Sequence, residues 1–199
     1  MSYGLIMKEY TISGAKANLY GALFVVPVLL LDAVPYILIW YDFGYGFPEG
    51  LHTIAQNNFI FKTCAVNVSL LLILFAVALF VGIVLHELIH GVCMAAHAKN
   101  GWKSVSFGFN IKALAPYSHC MEPLSPNAYR FTLVMPGILL GDIPVIISWF
   151  TGNILFLFFG ILFCLGAVGD VIVLWLSRNI TNGVIQDHPD KIGFVHIEE

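Results

Sequence analysis

The sequence predicts an all-α membrane protein: about four transmembrane helices with a short cytoplasmic β-hairpin-like insertion, forming one membrane-embedded domain over residues 1–199. Three observations predict it. The chain is 59% hydrophobic and 11% charged, where an average soluble domain is roughly 25% charged. Four long runs are nearly free of charge: 17–40 holds only Asp32, 63–85 none, 131–150 only Asp142, and 154–177 only Asp170. Each is long enough to cross a hydrocarbon core, which takes about 20 apolar residues. The basic residues also segregate. With four crossings, Lys8, Lys16, Lys99, Lys103, Lys112, Arg130, Arg178 and Lys191 share one side and Lys62 alone takes the other, which places both termini in the cytoplasm.

In chain order, residues 1–16 form a short polar lead. The first apolar run is too long for a signal-peptide core and has no A-x-A-like site behind it, so it is read as a retained helix. That helix, about 17–40, carries Pro27, Pro35 and Asp32, a set that predicts a kink or break. An outer loop over 41–62 is rich in Gly, aromatic and polar residues. The second helix, about 64–97, exceeds what a bilayer needs, so its end projects into the cytoplasmic interface or a protein-lined cavity. Between 100 and 127, Val105, Phe107, Phe109 and Ile111 alternate with Ser106, Gly108, Asn110 and Lys112, the period of a strand. The third helix starts near Tyr129 and is interrupted at Pro136-Gly137. After a tight turn at Thr151-Gly152-Asn153 comes the fourth, whose Gly166-Ala167-Val168-Gly169-Asp170 run predicts close helix approach. The tail, 178–199, is polar, with Asp187-His188-Pro189 as its notable cluster.

At the cytoplasmic end of the second helix stands His86-Glu87-Leu88-Ile89-His90. Four residues apart on a helix, the two histidines lie on one face, so both imidazoles reach one Zn²⁺ while the intervening carboxylate reaches its water. With 7 His and 6 Glu in 199 residues, this pattern arises by chance about 0.007 times per chain, so coincidence is a poor account of it. The alternative, a purely structural polar contact between helices, sits badly with three ionisable residues clustered in an apolar segment.

A catalytic zinc takes a third protein ligand. The metzincin continuation fails, because Cys93 and Ala96 occupy its glycine and histidine positions and His97 is one residue out of register. The glutamates after Glu87 are Glu122, in a Pro-flanked loop, and the terminal Glu198 and Glu199, which disfavours a gluzincin. Aspartates remain. His90 precedes Lys99 by nine residues and Asp170 precedes Arg178 by eight, so the two sit at similar depth. Asp142, twelve residues beyond Arg130, is the runner-up; His119, Glu122 and Cys93 follow, and Asp32 is the poorest match in depth.

Together, the HELIHG core, Trp102 to Gly108, Ala115-Pro116-Tyr117-Ser118-His119-Cys120, the Pro136 helix, Gly169-Asp170 and Asp187-His188-Pro189 resemble the DUF3267 family, zincin-type peptidases by description, over roughly residues 80–195. That family is in turn similar to site-2-protease-like intramembrane metalloproteases. The resemblance implies His86, His90 and Asp170 as metal ligands, Glu87 as catalytic acid/base, and a prokaryotic plasma membrane. Asp170 here is flanked by Gly169 and Val171, outside the Asn-Pro and Asp-Gly setting of site-2 proteases.

The functional expectation is a membrane zinc metallopeptidase that hydrolyses peptide bonds of membrane-associated proteins or peptides, with Glu87 as general base toward a zinc-activated water. An extended substrate pairs with the edge of the 105–112 strand. Two other classes stay open: a catalytically silent zinc-binding adaptor or chaperone, and a small ion transporter using His86, His90, Asp170 and Asp142. His119-Cys120 is assigned to oxyanion, substrate or second-metal contact, or to plain loop structure; His188 is expected to order the tail through Asp187. The net charge of −3 and the scattered basic residues give no nucleic-acid partner. Cys64, Cys93, Cys120 and Cys164 form no C-x-x-C pair, so they are read as packing residues.

Overall fold

A computed structural model describes residues 6–40, 68–110, 115–188 and 191–198. The expected outer loop, Lys62, Cys64, Ile111, Lys112, Pro189 and Glu199 lie outside them. The described chain is mostly helical, with two small antiparallel sheets. It runs β1 (Ile6–Ile12), α1 (Gly14–Trp40), α2 (Val68–His97), β2 (Val105–Asn110), β3 (Ala115–Cys120), α3 (Pro126–Pro136), α4 (Ile143–Thr151), α5 (Ile154–Gly166), α6 (Val168–Ser177), β4 (Val184–Asp187) and β5 (Ile192–Glu198). Among the described residues, three helical stretches are long and apolar enough to cross a membrane: Gly14–Trp40, Leu72–His97 and Pro126–Thr151. The pair α5 and α6 passes the same test together, bent by 44° between Gly166 and Val168. Their outward faces carry exposed Leu, Ile, Val and Phe, such as Leu31 and Phe80, a pattern compatible with a hydrocarbon surrounding.

α1 is one continuous helix despite Pro27 and Pro35, where a kink or break was expected. Its outer end is tied down from the other side. The Tyr36 hydroxyl donates to the Gly152 carbonyl at 2.7 Å, Trp40 Nε1 donates to the Trp149 carbonyl at 3.0 Å, and Trp149 Nε1 donates to the Asp32 carbonyl at 2.9 Å. The turn that receives these bonds forms as the sequence predicts: Gly152 ends α4 in the left-handed region at φ 67°, and the Asn153 side chain accepts the amides of Leu155 and Phe156 to cap α5. Tyr36, Val145, Leu157 and Ile161 are the buried residues of this end.

The interruption foreseen at Pro136-Gly137 is a π-helical turn, Gly137–Asp142, that carries α3 into α4 without ending the helix. Close helix approach occurs here and not at Gly166 or Gly169, where an added Cβ would meet nothing within 4 Å. A Cβ on Gly141 would come to 2.6 Å from Cys164 Sγ, and one on Gly160 to 2.8 Å from the Gly141 carbonyl, so these two glycines let α5 close on the π-turn. The Gly166–Asp170 run meets the π-turn through Ala167, whose Cβ lies 3.3 Å from where a Cβ on Gly137 would be; the fourth helix also breaks within this run, and Asp170 falls in the first turn of α6. A carboxylate there meets the positive end of the helix dipole.

Beyond the expected hairpin β2–β3, the two polar ends of the chain make a second sheet, in the order β1-β5-β4, which the all-α expectation did not contain. β1 pairs with β5 from Ile6 opposite Glu198 to Ile12 opposite Ile192. The sheet is held to the helices by a core of Met94, Leu124, Tyr129, Leu133, Ile185 and Phe194. Arg130 adds a polar tie: its guanidinium donates to the carbonyls of Ser177 and Ile180, fixing the end of α6 against α3. The helix that bears Asp170 and the helix that packs on His90 are thereby joined.

Candidate metal centre

α2 brings His86 and His90 onto one face, as their spacing requires, and their rings stand 4.9 Å apart. α6 delivers Asp170 to the same point. Its Oδ2 lies 3.2 Å from His86 Nε2 and 3.4 Å from His90 Nε2, and the three ligand atoms all fall within 4.8 Å of one another. Donors held about 2.0–2.1 Å from a tetrahedral zinc are separated from each other by roughly 3.3 Å, so two edges of the triangle already have that length. Two imidazole nitrogens and one carboxylate oxygen are also a set that zinc accepts. The residues therefore fit the ion.

The orientation of His90 is decided by a neighbour that sequence reasoning missed. His90 Nδ1 lies 2.8 Å from the main-chain carbonyl of Thr132, in a spot where Thr132 is fully buried. A carbonyl only accepts, so Nδ1 carries the hydrogen and Nε2 presents its lone pair to the centre. That carbonyl is free because its helical partner, four residues on, is Pro136, which has no N–H. In sequence Pro136 reads as a helix interruption; its chemistry lies one turn upstream, in the T-x-x-x-P spacing.

Glu87 faces a cavity of about 320 Å³ together with His86 and Pro116. The Ser118 hydroxyl donates to Glu87 Oε2 at 2.8 Å, which orients the carboxylate from the hairpin. The hairpin itself is clasped to α2 through Phe107, whose ring sits where a Cβ on Gly91 would be, 2.3 Å from that position. Only glycine after His90 lets the hairpin close over the site.

Beside this centre, Asp187 accepts from the Cys120 amide at 3.2 Å and from the Tyr129 hydroxyl, with His119 Nδ1 at 3.7 Å. Burial holds the Asp187 carboxyl above the usual carboxylate range, against the opposing pull of those partners. It pins the C-terminal end of β3, and thus the strand that carries Ser118. The neighbouring His188 lies 3.6 Å from Glu9 and accepts the Lys191 amide at 3.0 Å.

The remaining ligand candidates are placed elsewhere. Asp142 lies against Cys164 at 3.6 Å, and Asp32 is backed by the same thiol. Glu122 holds the side chain and amide of Asn100. Cys93 is buried as packing, and its carbonyl faces His97 Nδ1 at 2.8 Å.

With this geometry in hand, comparison with known families is informative. The DUF3267 family model, whose description reads "Putative zincin peptidase", matches residues 79–185, just over half of the chain. The chain belongs to the DUF3267 family. The DUF3267 match runs from Leu79 on α2 to Ile185 on β4, so it contains both histidines, Glu87, the hairpin, Thr132, Pro136 and Asp170, and leaves out α1, β1 and β5. No curated protein and no solved structure matches the chain.

Three outcomes are expected. Detergent-purified protein carries about one zinc per chain by elemental analysis, and Asp170→Ala loses it while Asp142→Ala retains it; equal zinc in both variants would remove Asp170 from the site. Pro136→Ala restores an amide that competes for the Thr132 carbonyl, so zinc affinity in chelator competition falls about tenfold, as for loss of other groups that orient a ligand. Asp187, with a folded-state pKa above its unfolded one, contributes stability at low pH that is lost as pH rises through the raised value. Melting curves from about pH 4 to 7 therefore fall for the wild type relative to Asp187→Asn, and parallel slopes would contradict it.

Proposed function

We propose that this protein is a membrane zinc metallopeptidase, hydrolysing peptide bonds of membrane-associated proteins or peptides with Glu87 as general base. The observation that carries the proposal is the convergence of His86, His90 and Asp170 within 4.8 Å beside a cavity that Glu87 also lines. When bound, zinc supplies the Lewis acidity that makes water a nucleophile near neutral pH. Glu87, oriented by Ser118 through Oε2, takes the proton of the attacking water and passes it to the departing amine. His86 and His90 would hold the ion through Nε2, and the Thr132 carbonyl holds His90 in the tautomer this requires.

The hairpin supports an extended substrate. The Cys120 amide points off the hairpin to Asp187, so by the alternation of an antiparallel ladder the amide and carbonyl of Ser118 point the same way. Pro116, two residues further back, offers only a carbonyl. β3 thus turns a short row of main-chain groups past the residue that touches Glu87, and by the same alternation β2 turns those of Val105, Phe107 and Phe109 off its own edge. A peptide strand added there needs no particular side chain for its main-chain bonds.

We read α5 and α6 as one bent crossing, which gives four, with the strands and the basic residues Lys8, Lys16, Lys99, Lys103, Arg130, Arg178 and Lys191 on the cytoplasmic side. A prokaryotic plasma membrane and the likeness to site-2 proteases belong to the same reading. The transporter alternative gains nothing, since Asp142 stands apart from the metal triad.

Glu87→Gln keeps zinc near the wild-type content and lowers kcat by about 10²–10⁴-fold, the usual worth of a general base. Steady-state peptide hydrolysis measured beside zinc content checks this; turnover that survives in the variant would take the role away from Glu87.

A further inference from the structure

The cavity beside Glu87 continues along the seam between α2 and α5, away from the hairpin. Leu79, Ile83 and Glu87 follow one another at four-residue steps on α2, and Leu162 and Gly166 do the same on α5, so two parallel stripes face each other. The stripe on α2 is about 12 Å long at the helical rise. Phe163 narrows the cavity beside Ile83: its ring occupies the place of a Cβ on Gly82, 2.3 Å from that position, and lies tilted against Phe159 at 4.6 Å between centroids. At the inner end are the carboxylate of Glu87 and the imidazole of His86. Every other lining residue is apolar or glycine.

Size decides what such a space admits. Two turns of helix, about 11 Å long and 10–12 Å across, occupy roughly 900 Å³ or more. The cavity holds about 320 Å³, a third of that, so it does not take a helical segment. A cavity of about 150 Å³ is enough to bind benzene. One bulky apolar side chain with the main chain that bears it fits the volume and the lining.

We propose that this cleft is a specificity pocket for one large aliphatic or aromatic side chain next to the scissile bond, of a substrate bound in extended form. The inference rests on the peptidase reading above and adds to it the class of side chain selected. Ile83, Leu162 and Gly166 set the width. Ile83 and Leu162 are 44% and 42% exposed, so trimming either widens the cleft without opening a core. A Cβ on Gly166 meets no atom within 4 Å, so a side chain starts there without its first carbon forcing a neighbouring helix aside.

The test uses the full-length, zinc-loaded protein in detergent with two capped tripeptides, one carrying benzoylphenylalanine and the other a small diazirine residue in the middle. After irradiation, labelled positions are mapped by mass spectrometry, and β-casein digestion is profiled in parallel. The bulky probe is expected to label residues within 79–83 and 162–166. Gly166→Phe lowers that labelling about tenfold, the scale of discrimination an apolar pocket achieves, and leaves the small probe unaffected. Leu162→Ala keeps or raises it, and remains informative should Gly166→Phe fail to fold. Wild-type casein cuts are expected beside large apolar residues.

Labelling that ignores Gly166→Phe, drops in Leu162→Ala, or falls outside both stretches would overturn the pocket; in the last case the cleft is a lipid-filled seam. Labelling in place without any casein cleavage keeps the pocket and removes the peptidase reading. Cleavage without side-chain preference does the reverse.

Discussion

Pro136 has no amide hydrogen, so the carbonyl of Thr132 one turn earlier has no partner in its own helix. An unpaired buried carbonyl costs on the order of 1–3 kcal/mol, and here the cost is offset by the ring N–H of His90. That single bond does three things. It satisfies α3, it sets the tautomer of His90, and it fixes the distance between α2 and α3 at the level of the metal triad. The π-turn that follows Pro136 keeps the helix going after the missing bond, so the break in hydrogen bonding is local while the helix spans its full length.

Around this contact the site is assembled from separate parts of the chain, each bound to its neighbour by a small number of specific features. α6 carries Asp170 and is held to α3 by Arg130 at its far end. The hairpin carries Ser118, is seated on Gly91 through Phe107, and is anchored by Asp187 from β4. A carboxylate at Asp170 is tolerable in apolar surroundings because two imidazoles face it, and two imidazoles can face it because both helices are indexed to α3. No element could shift by a residue without leaving one of these polar groups unpaired.

What could be read in the sequence follows from how local each signal is. The apolar runs, the His86–His90 pair and the Thr151-Gly152-Asn153 turn are written in consecutive residues, and the structure has them where the sequence placed them. Asp170 was preferred over Asp142 from depth alone, and its triad in the structure is a matter of three-dimensional approach that depth only narrows. β1 was missed because Ile6–Ile12 does not alternate cleanly, and its partner lies at the other end of the chain. Pro27 and Pro35 do not break α1, because proline in a long apolar helix is accommodated when neighbours tie the helix down, as Tyr36 and Trp40 do. Ser118 was quoted only as part of a motif, since nothing in the hairpin sequence says that its side chain faces α2.

The pairing of β1 with β5 has a topological consequence. Hydrogen-bonded strands lie on the same side of any bilayer, so a chain that leaves the sheet after Ile12 and returns to it at Ile192 makes an even number of crossings. Three crossings have the wrong parity: they would tear the first strand from the last. For a membrane-embedded chain, the proposed reading of α5 and α6 as one bent crossing meets this parity, with the bend at Ala167 as its elbow and Asp170 on its returning arm.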